Sequence, residues 1–118
     1  MKRGRCYERA AERLLRQKDA RGWRLVHGFA VVSGIAPGKH AWLRLPDGRV
    51  WDPTENVYWP ELEYTTNRRA TPLRKYSQLQ AARLMIKHDH YGPWYDEKTG
   101  WQAEAQFMHS LHERTLSQ

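Results

Sequence analysis

Three side chains in this 118-residue sequence can together run thiol chemistry: Cys6, His40 and Asp52. A cysteine attacks as its thiolate. A free thiol titrates near ~8.5, so at neutral pH it needs a helix N-terminus or a neighbouring cation. Cys6 falls in or near the first turn of a predicted helix, just after Gly4, with Arg3 and Arg5 adding positive potential. The unpaired N–H groups of such a terminus carry partial positive charge and can hold an oxyanion. His40 would take the thiol proton or keep the thiolate as an ion pair, and Asp52 would fix the imidazole tautomer and stabilise its cation. Each residue alone has a plainer reading. These are a buried apolar thiol, a strand histidine bonded to backbone, and an aspartate capping the turn before Pro53.

Two of the three must be brought together by a hairpin. His40–Leu45 and Arg49–Asp52 read as strands around Pro46-Asp47-Gly48. Pro suits the first position of a three-residue loop, Asp the next, and Gly the left-handed position of a bulge. That loop pairs Leu45 with Arg49, Trp42 with Asp52 and His40 with Thr54. His40 and Asp52 then share a face as diagonal neighbours, roughly 7 Å apart by backbone. A two-residue Asp47-Gly48 loop would put them on opposite faces.

The remaining elements follow from periodicity. Cys6–Gln17 is a helix with Tyr7, Ala10, Ala11, Leu14 and Leu15 on one face. Trp23–Ser33 is a strand, broken by Ser33-Gly34 and Ala36-Pro37-Gly38. Glu55–Pro72 reads as mostly loop with one short strand. Ser77-Gln78-Leu79-Gln80 is a capping box opening a helix to about His88, with Leu79, Ala82, Met85 and Ile86 as its apolar face. Tyr91-Gly92-Pro93-Trp94 is a turn. Glu97–Leu116 is a final helix with Trp101, Ala105, Met108 and Leu111 inward. The order of helix, three strands, loop and two helices gives an α+β fold on a small antiparallel sheet, a single domain over residues 1–118.

Composition sets the remaining expectations. The formal charge of +7 favours acidic partners, either acidic protein or, less so, nucleic acid. The Arg and Lys residues are scattered, however, and also read as a solubilising surface. One cysteine excludes an internal disulfide, and with no apolar leader or membrane-length stretch the expected compartment is a reducing cytoplasm. His88/His90 and His109/His112 lack a convergent third ligand in the sequence, so neither a metal nor a cofactor is expected. Arg68-Arg69 and Arg74-Lys75 beside Tyr64 and Tyr76 form a candidate phosphate-binding patch. Trp42, Tyr58, Trp59, Tyr91 and Trp94 are candidate walls of a substrate cleft, or else caps on a small core.

His40-Ala41-Trp42, the hairpin after it, and Val50-Trp51-Asp52-Pro53-Thr54 resemble the transglutaminase-like superfamily of papain-like cysteine enzymes. Cys6-Tyr7-Glu8-Arg9-Ala10-Ala11 looks like that family's cysteine-bearing helix, and Leu25-Val26-His27-Gly28 like the strand that follows it. The resemblance covers residues 4–54. It implies a compact papain-like core, with Cys6 as nucleophile, His40 as base and Asp52 as orienting acid. It also implies acyl transfer through a thioester, by hydrolysis, deamidation or transfer on a peptide, protein or amide substrate. Only five residues precede Cys6, so beside the Cys6 backbone N–H a second oxyanion donor is sought at Trp23, with Trp42 and Tyr91 as further candidates. The competing reading is a non-catalytic basic binding module, such as a phage or mobile element would encode as an inhibitor, engaging an acidic protein or nucleic acid.

Overall fold

The computed structural model describes residues 3–32 and 36–116. Tyr7, Ala10, Ala11 and Leu14 recur at helical spacing, and all four are buried along one side of α1 (Arg3–Arg16). That stripe packs chiefly on β2 (Gly38–Arg44) and β1 (Arg24–Ala30). The hairpin from β2 to β3 (Arg49–Asp52) has the loop its turn residues favour. The Leu45 N–H donates to the Arg49 carbonyl at 2.8 Å, the Gly48 N–H to the Leu45 carbonyl at 3.2 Å, and Gly48 has φ +87°. Leu43 pairs with Trp51 and Arg44 with Val50, which is the register of the three-residue loop.

Glu55–Pro72 is more structured than its sequence suggests. It holds β4 (Val57–Pro60) and α2 (Glu61–Arg68), and ends inside β5 (Thr71–Tyr76). The reason is that the usual signals are missing there. β4 is an edge strand with no buried residue, so it shows no alternation, and α2 buries only Tyr64, so it shows no apolar stripe. α2 closes with Arg69 in the left-handed conformation, a position where glycine is the usual marker. Among the described residues the sheet therefore has five strands in the order β4-β3-β2-β1-β5, every neighbouring pair antiparallel. Trp23 lies just before β1 rather than in it, and the expected break at Ser33 and Gly34 lies outside the described residues.

Two apolar clusters cover the sheet. One joins α1 to Leu25, Ala41, Leu43 and Trp51; the other joins α2, through Tyr64, to Val26, Trp42 and Val50. α3 (Gln78–His88) opens with the expected capping box, and the Gln78 amide donates to the Leu14 and Gln17 carbonyls at the end of α1. Its inward residue is Ala81, while Leu79 is exposed and Ile86 is 83% exposed, so the predicted face is displaced. α4 (Glu97–Leu116) is also turned. Gly100 and Phe107 are buried, whereas Trp101 is 66% exposed, and Ala105 and Met108 also face outward; Leu111 is half-buried. The Tyr95 ring packs against Gly100, where a Cβ would meet it at 2.9 Å, and Phe107 stacks on Phe29 at 5.6 Å. A glycine and one phenylalanine carry the contact, and hydrophobicity alone pointed to the wrong side.

Candidate functional site

β2 and β3 are antiparallel, so the start of one and the end of the other lie at the same end of the sheet. His40 is the third residue of β2 and Asp52 the last of β3. The first turn of α1, with Cys6, reaches the same end. His40 Nε2 lies 2.8 Å from Asp52 Oδ2, and His40 is also hydrogen-bonded with the Cys6 thiol. Nε2 is committed to the carboxylate, which leaves Nδ1 as the ring nitrogen for sulfur. The group is deeply enclosed: Cys6 is 1% exposed, His40 3% and Asp52 0%.

The carboxylate is held on all sides. Asp52 Oδ1 accepts the Thr54 and Glu55 N–H groups at 2.8 and 3.3 Å, and Oδ2 accepts the Tyr64 hydroxyl at 2.6 Å as well as His40. Burial works against ionising Asp52, but the His40 hydrogen bond and charge, then Tyr64 and the Thr54 N–H, outweigh it and hold the carboxyl below its ordinary value. For His40, burial likewise opposes charge. The hydrogen bonds to Asp52 and Cys6, with their charges, prevail and raise it to about 9. Burial first, then the Asp52 charge, raises the Tyr64 hydroxyl, so it stays a proton donor.

Tyr64 is the residue that sequence reading missed at this site. Its place in the sequence, beside Arg68 and Arg69, suggests a member of a basic patch. Instead it is buried in the second cluster, and Arg68 is closed on Glu55 by two hydrogen bonds of 2.7 and 2.6 Å. The signal for Tyr64 was the helix α2, which carries no legible stripe.

The other expected site residues are dispersed. Trp42 is the neighbour that does converge: its buried ring lies 6.0 Å from the His40 ring and 5.7 Å from Tyr64, so it backs the imidazole rather than walling a cleft. Trp23 sits at the opposite end of the sheet, next to the Arg24–Arg44 pair, with the Arg13 guanidinium over its ring at 5.8 Å. It is not beside Cys6 and supplies no oxyanion donor there. Because α1 begins at Arg3, Cys6 is its fourth residue, and the N–H of a fourth helical residue is the first taken up by the helical ladder. The free donors of this helix end therefore precede Cys6, and its own N–H is not one of them. Tyr58 and Trp59 lie on the edge strand β4, where Tyr58 accepts a hydrogen bond from Arg13 and Trp59 packs on the second cluster. The Tyr91 hydroxyl donates to Glu12 at 3.3 Å, and the Trp94 ring lies 5.0 Å from His27 and 5.2 Å from Tyr76. Among the described residues no three His, Cys, Asp or Glu side chains are grouped to hold a metal, and no helix is long and apolar enough to cross a membrane. In comparisons with protein-family models, curated proteins and solved structures, nothing matches this chain.

Proposed function

We propose that this chain is a thiol-dependent hydrolase or acyltransferase with a papain-like, transglutaminase-like core, acting on a peptide or amide bond. The observation that carries the reading is the continuous chain of contacts from Asp52 through His40 to Cys6. A histidine that holds its proton up to about 9 stands at neutral pH as an imidazolium against the sulfur, the arrangement that favours a thiolate. The thiolate attacks the substrate carbonyl carbon. The imidazolium gives its proton to the leaving amine as the C–N bond breaks, and a thioester remains on Cys6. Water or an acceptor amine then loses a proton to His40 and attacks the thioester. This releases the acid or a new amide and restores the ion pair. Asp52 holds the ring throughout, and Tyr64 holds Asp52.

The burial of Cys6 favours a second reading, in which the thiol is a core residue and the chain is a non-catalytic basic binding module. Alkylation by iodoacetamide, a reagent small enough for an enclosed site, followed by intact mass, separates the two. The enzyme reading expects Cys6 to be alkylated at about pH 6 at least ~10-fold faster than free cysteine, and His40→Ala to abolish that advantage. A rate at or below that of free cysteine, unchanged by His40→Ala, rules it out.

A further inference from the structure

Cys6, Arg9, Arg13 and Arg16 are spaced three, four and three residues apart on α1. Such spacing keeps them within one helical stripe, and the stripe rises ~15 Å from the thiol to Arg16. Cys6 lies at the margin of the buried face, with the arginines on the exposed side of it. Across from them stands the β3–β4 turn. Arg9, Glu12, Arg13, Arg16, Trp51 and Asn56 line an open groove between the two. Three guanidinium groups face one carboxylate there, and Glu12 is already engaged by Arg16 at 3.2 Å and by the Tyr91 hydroxyl. Arg9 and Arg16 are exposed, whereas Arg13 is packed over Trp51 and Tyr58 at 5.3 and 5.9 Å. Asn56 Oδ1 accepts the Trp51 indole N–H at 3.0 Å, which leaves its amide N–H groups as what it can offer a ligand.

We infer that this groove binds an acidic, extended peptide segment and leads it toward Cys6, so that the substrate class is an acidic stretch of protein chain. The inference rests on the acyl-transfer reading of Cys6. Its geometry is that of an extended strand. From Arg9 to Arg13 the helix rises ~6 Å, close to the ~6.8 Å between same-side residues of an extended chain. Carboxylates at alternate positions therefore meet Arg9 and then Arg13 through charge-assisted hydrogen bonds, and Arg16, about one turn further on, extends the positive field along the groove. Single-stranded nucleic acid fits less well because it needs free aromatic faces to stack on. Trp51 is buried beneath Arg13, and Tyr58, though 41% exposed, already has the Arg13 and Arg49 guanidiniums against its ring, the latter at 4.8 Å.

The test is fluorescence anisotropy with a rhodamine-labelled decapeptide of alternating glutamate and alanine. The full chain carries Cys6→Ala, so that binding is read without chemistry. Binding is expected at low salt and should weaken as salt rises. Arg9→Glu with Arg16→Glu should weaken it about tenfold or more, while the remote pair Arg83→Glu with Lys98→Glu, an equal change in net charge, should weaken it less than about threefold. All four are exposed residues. Absence of binding, equal loss in both double variants, or tighter binding of a labelled oligothymidylate decamer would overturn the proposal. A reactive Cys6 with no peptide binding removes the groove and keeps the chemistry; peptide binding with an inert thiol does the reverse.

Discussion

Two buried histidines lie on neighbouring strands and meet opposite fates. His27 pairs across the β1–β2 ladder with Ala41, and His40 with Gly28, so the two are one residue apart in register and point to opposite faces. Both are removed from water. Neither ring nitrogen of His27 has a hydrogen-bond partner among the described residues; its ring is enclosed by Tyr7, Trp94 and Tyr76 at 4.8, 5.0 and 5.2 Å. Burial alone pushes it down to about 3. His40 has Asp52 and Cys6 and is raised to about 9. Burial therefore does not decide the charge of an imidazole in this sheet. The partner does, and the cost of burying the charge is accepted where a carboxylate is fixed in place to receive it.

The largest effect expected from breaking this contrast is that of Asp52→Ala. The change strands His40 and the Tyr64 hydroxyl in the interior and takes the acceptor from the half-buried Thr54 and Glu55 N–H groups at once. Removing one member of a buried pair typically costs about 3–5 kcal/mol, and urea unfolding should show a loss in that range. In the variant His40 keeps only Cys6 against its burial, and its titration, followed by histidine NMR resonances, should fall well below 9. A His40 that still titrates near 9 without Asp52 would mean that the carboxylate is not what sustains its charge.

The next effect is on pH dependence, where the two histidines act with opposite sign. His27 is lowered, so between about 3 and 6.5 the unfolded chain binds the extra proton; stability from this group is complete above 6.5 and is lost as pH falls toward 3. His40 is raised, so between 6.5 and about 9 the folded chain holds the extra proton. Its contribution is complete below 6.5 and is lost as pH rises through 9. Asp52, lowered, adds to the acid side below its ordinary carboxyl range. Stability should peak near 6.5. His27→Phe, which replaces an unpartnered imidazole by an apolar ring, should flatten the acid limb, and Asp52→Asn should flatten the alkaline limb. Denaturant midpoints across the pH range check both, and a variant that flattens the wrong limb sinks the assignment.

How much of this was legible depends on where the information lies. Pro46-Asp47-Gly48 announced its own turn, and with it the register that puts His40 and Asp52 on one face; Ser77 and Gln80 announced a capping box that is present. These are local signals, written in residues close in the chain. α2 was not legible because a helix anchored by one tyrosine has no stripe, and β4 because an edge strand has no buried side. The inward faces of α3 and α4 depart from their apolar patterns for a related reason. Ala81 and Gly100 are buried because they are small enough for close approach, while Ile86 and Trp101 are left outside. The difference between His27 and His40 was half legible. The sequence supplied Asp52 for one, but the cage of Tyr7, Tyr76 and Trp94 around the other comes from three segments distant in the chain.

The smallest effect, and the sharpest, is that of Tyr64→Phe. The phenol donates to the same Asp52 oxygen that faces His40, so removing it takes one donor from the carboxylate and leaves the histidine contact intact. The ring remains to fill the space against Trp42. A hydrogen bond to a charged acceptor is worth roughly 1.5–3 kcal/mol, so unfolding should show a loss near the lower end, well short of Asp52→Ala. His40 should still titrate near 9, because Asp52 stays ionised against it and keeps the Thr54 and Glu55 N–H groups. Alkylation of Cys6 should fall only a few-fold, whereas His40→Ala removes its advantage altogether. That split assigns Tyr64 a positioning role: it fixes where the carboxylate points and does not decide whether the imidazole is charged. If Tyr64→Phe instead lowered the His40 titration as far as Asp52→Ala does, the charge of the buried pair would depend on the whole hydrogen-bonded chain from α2 to α1, and Asp52 alone would not separate His40 from His27.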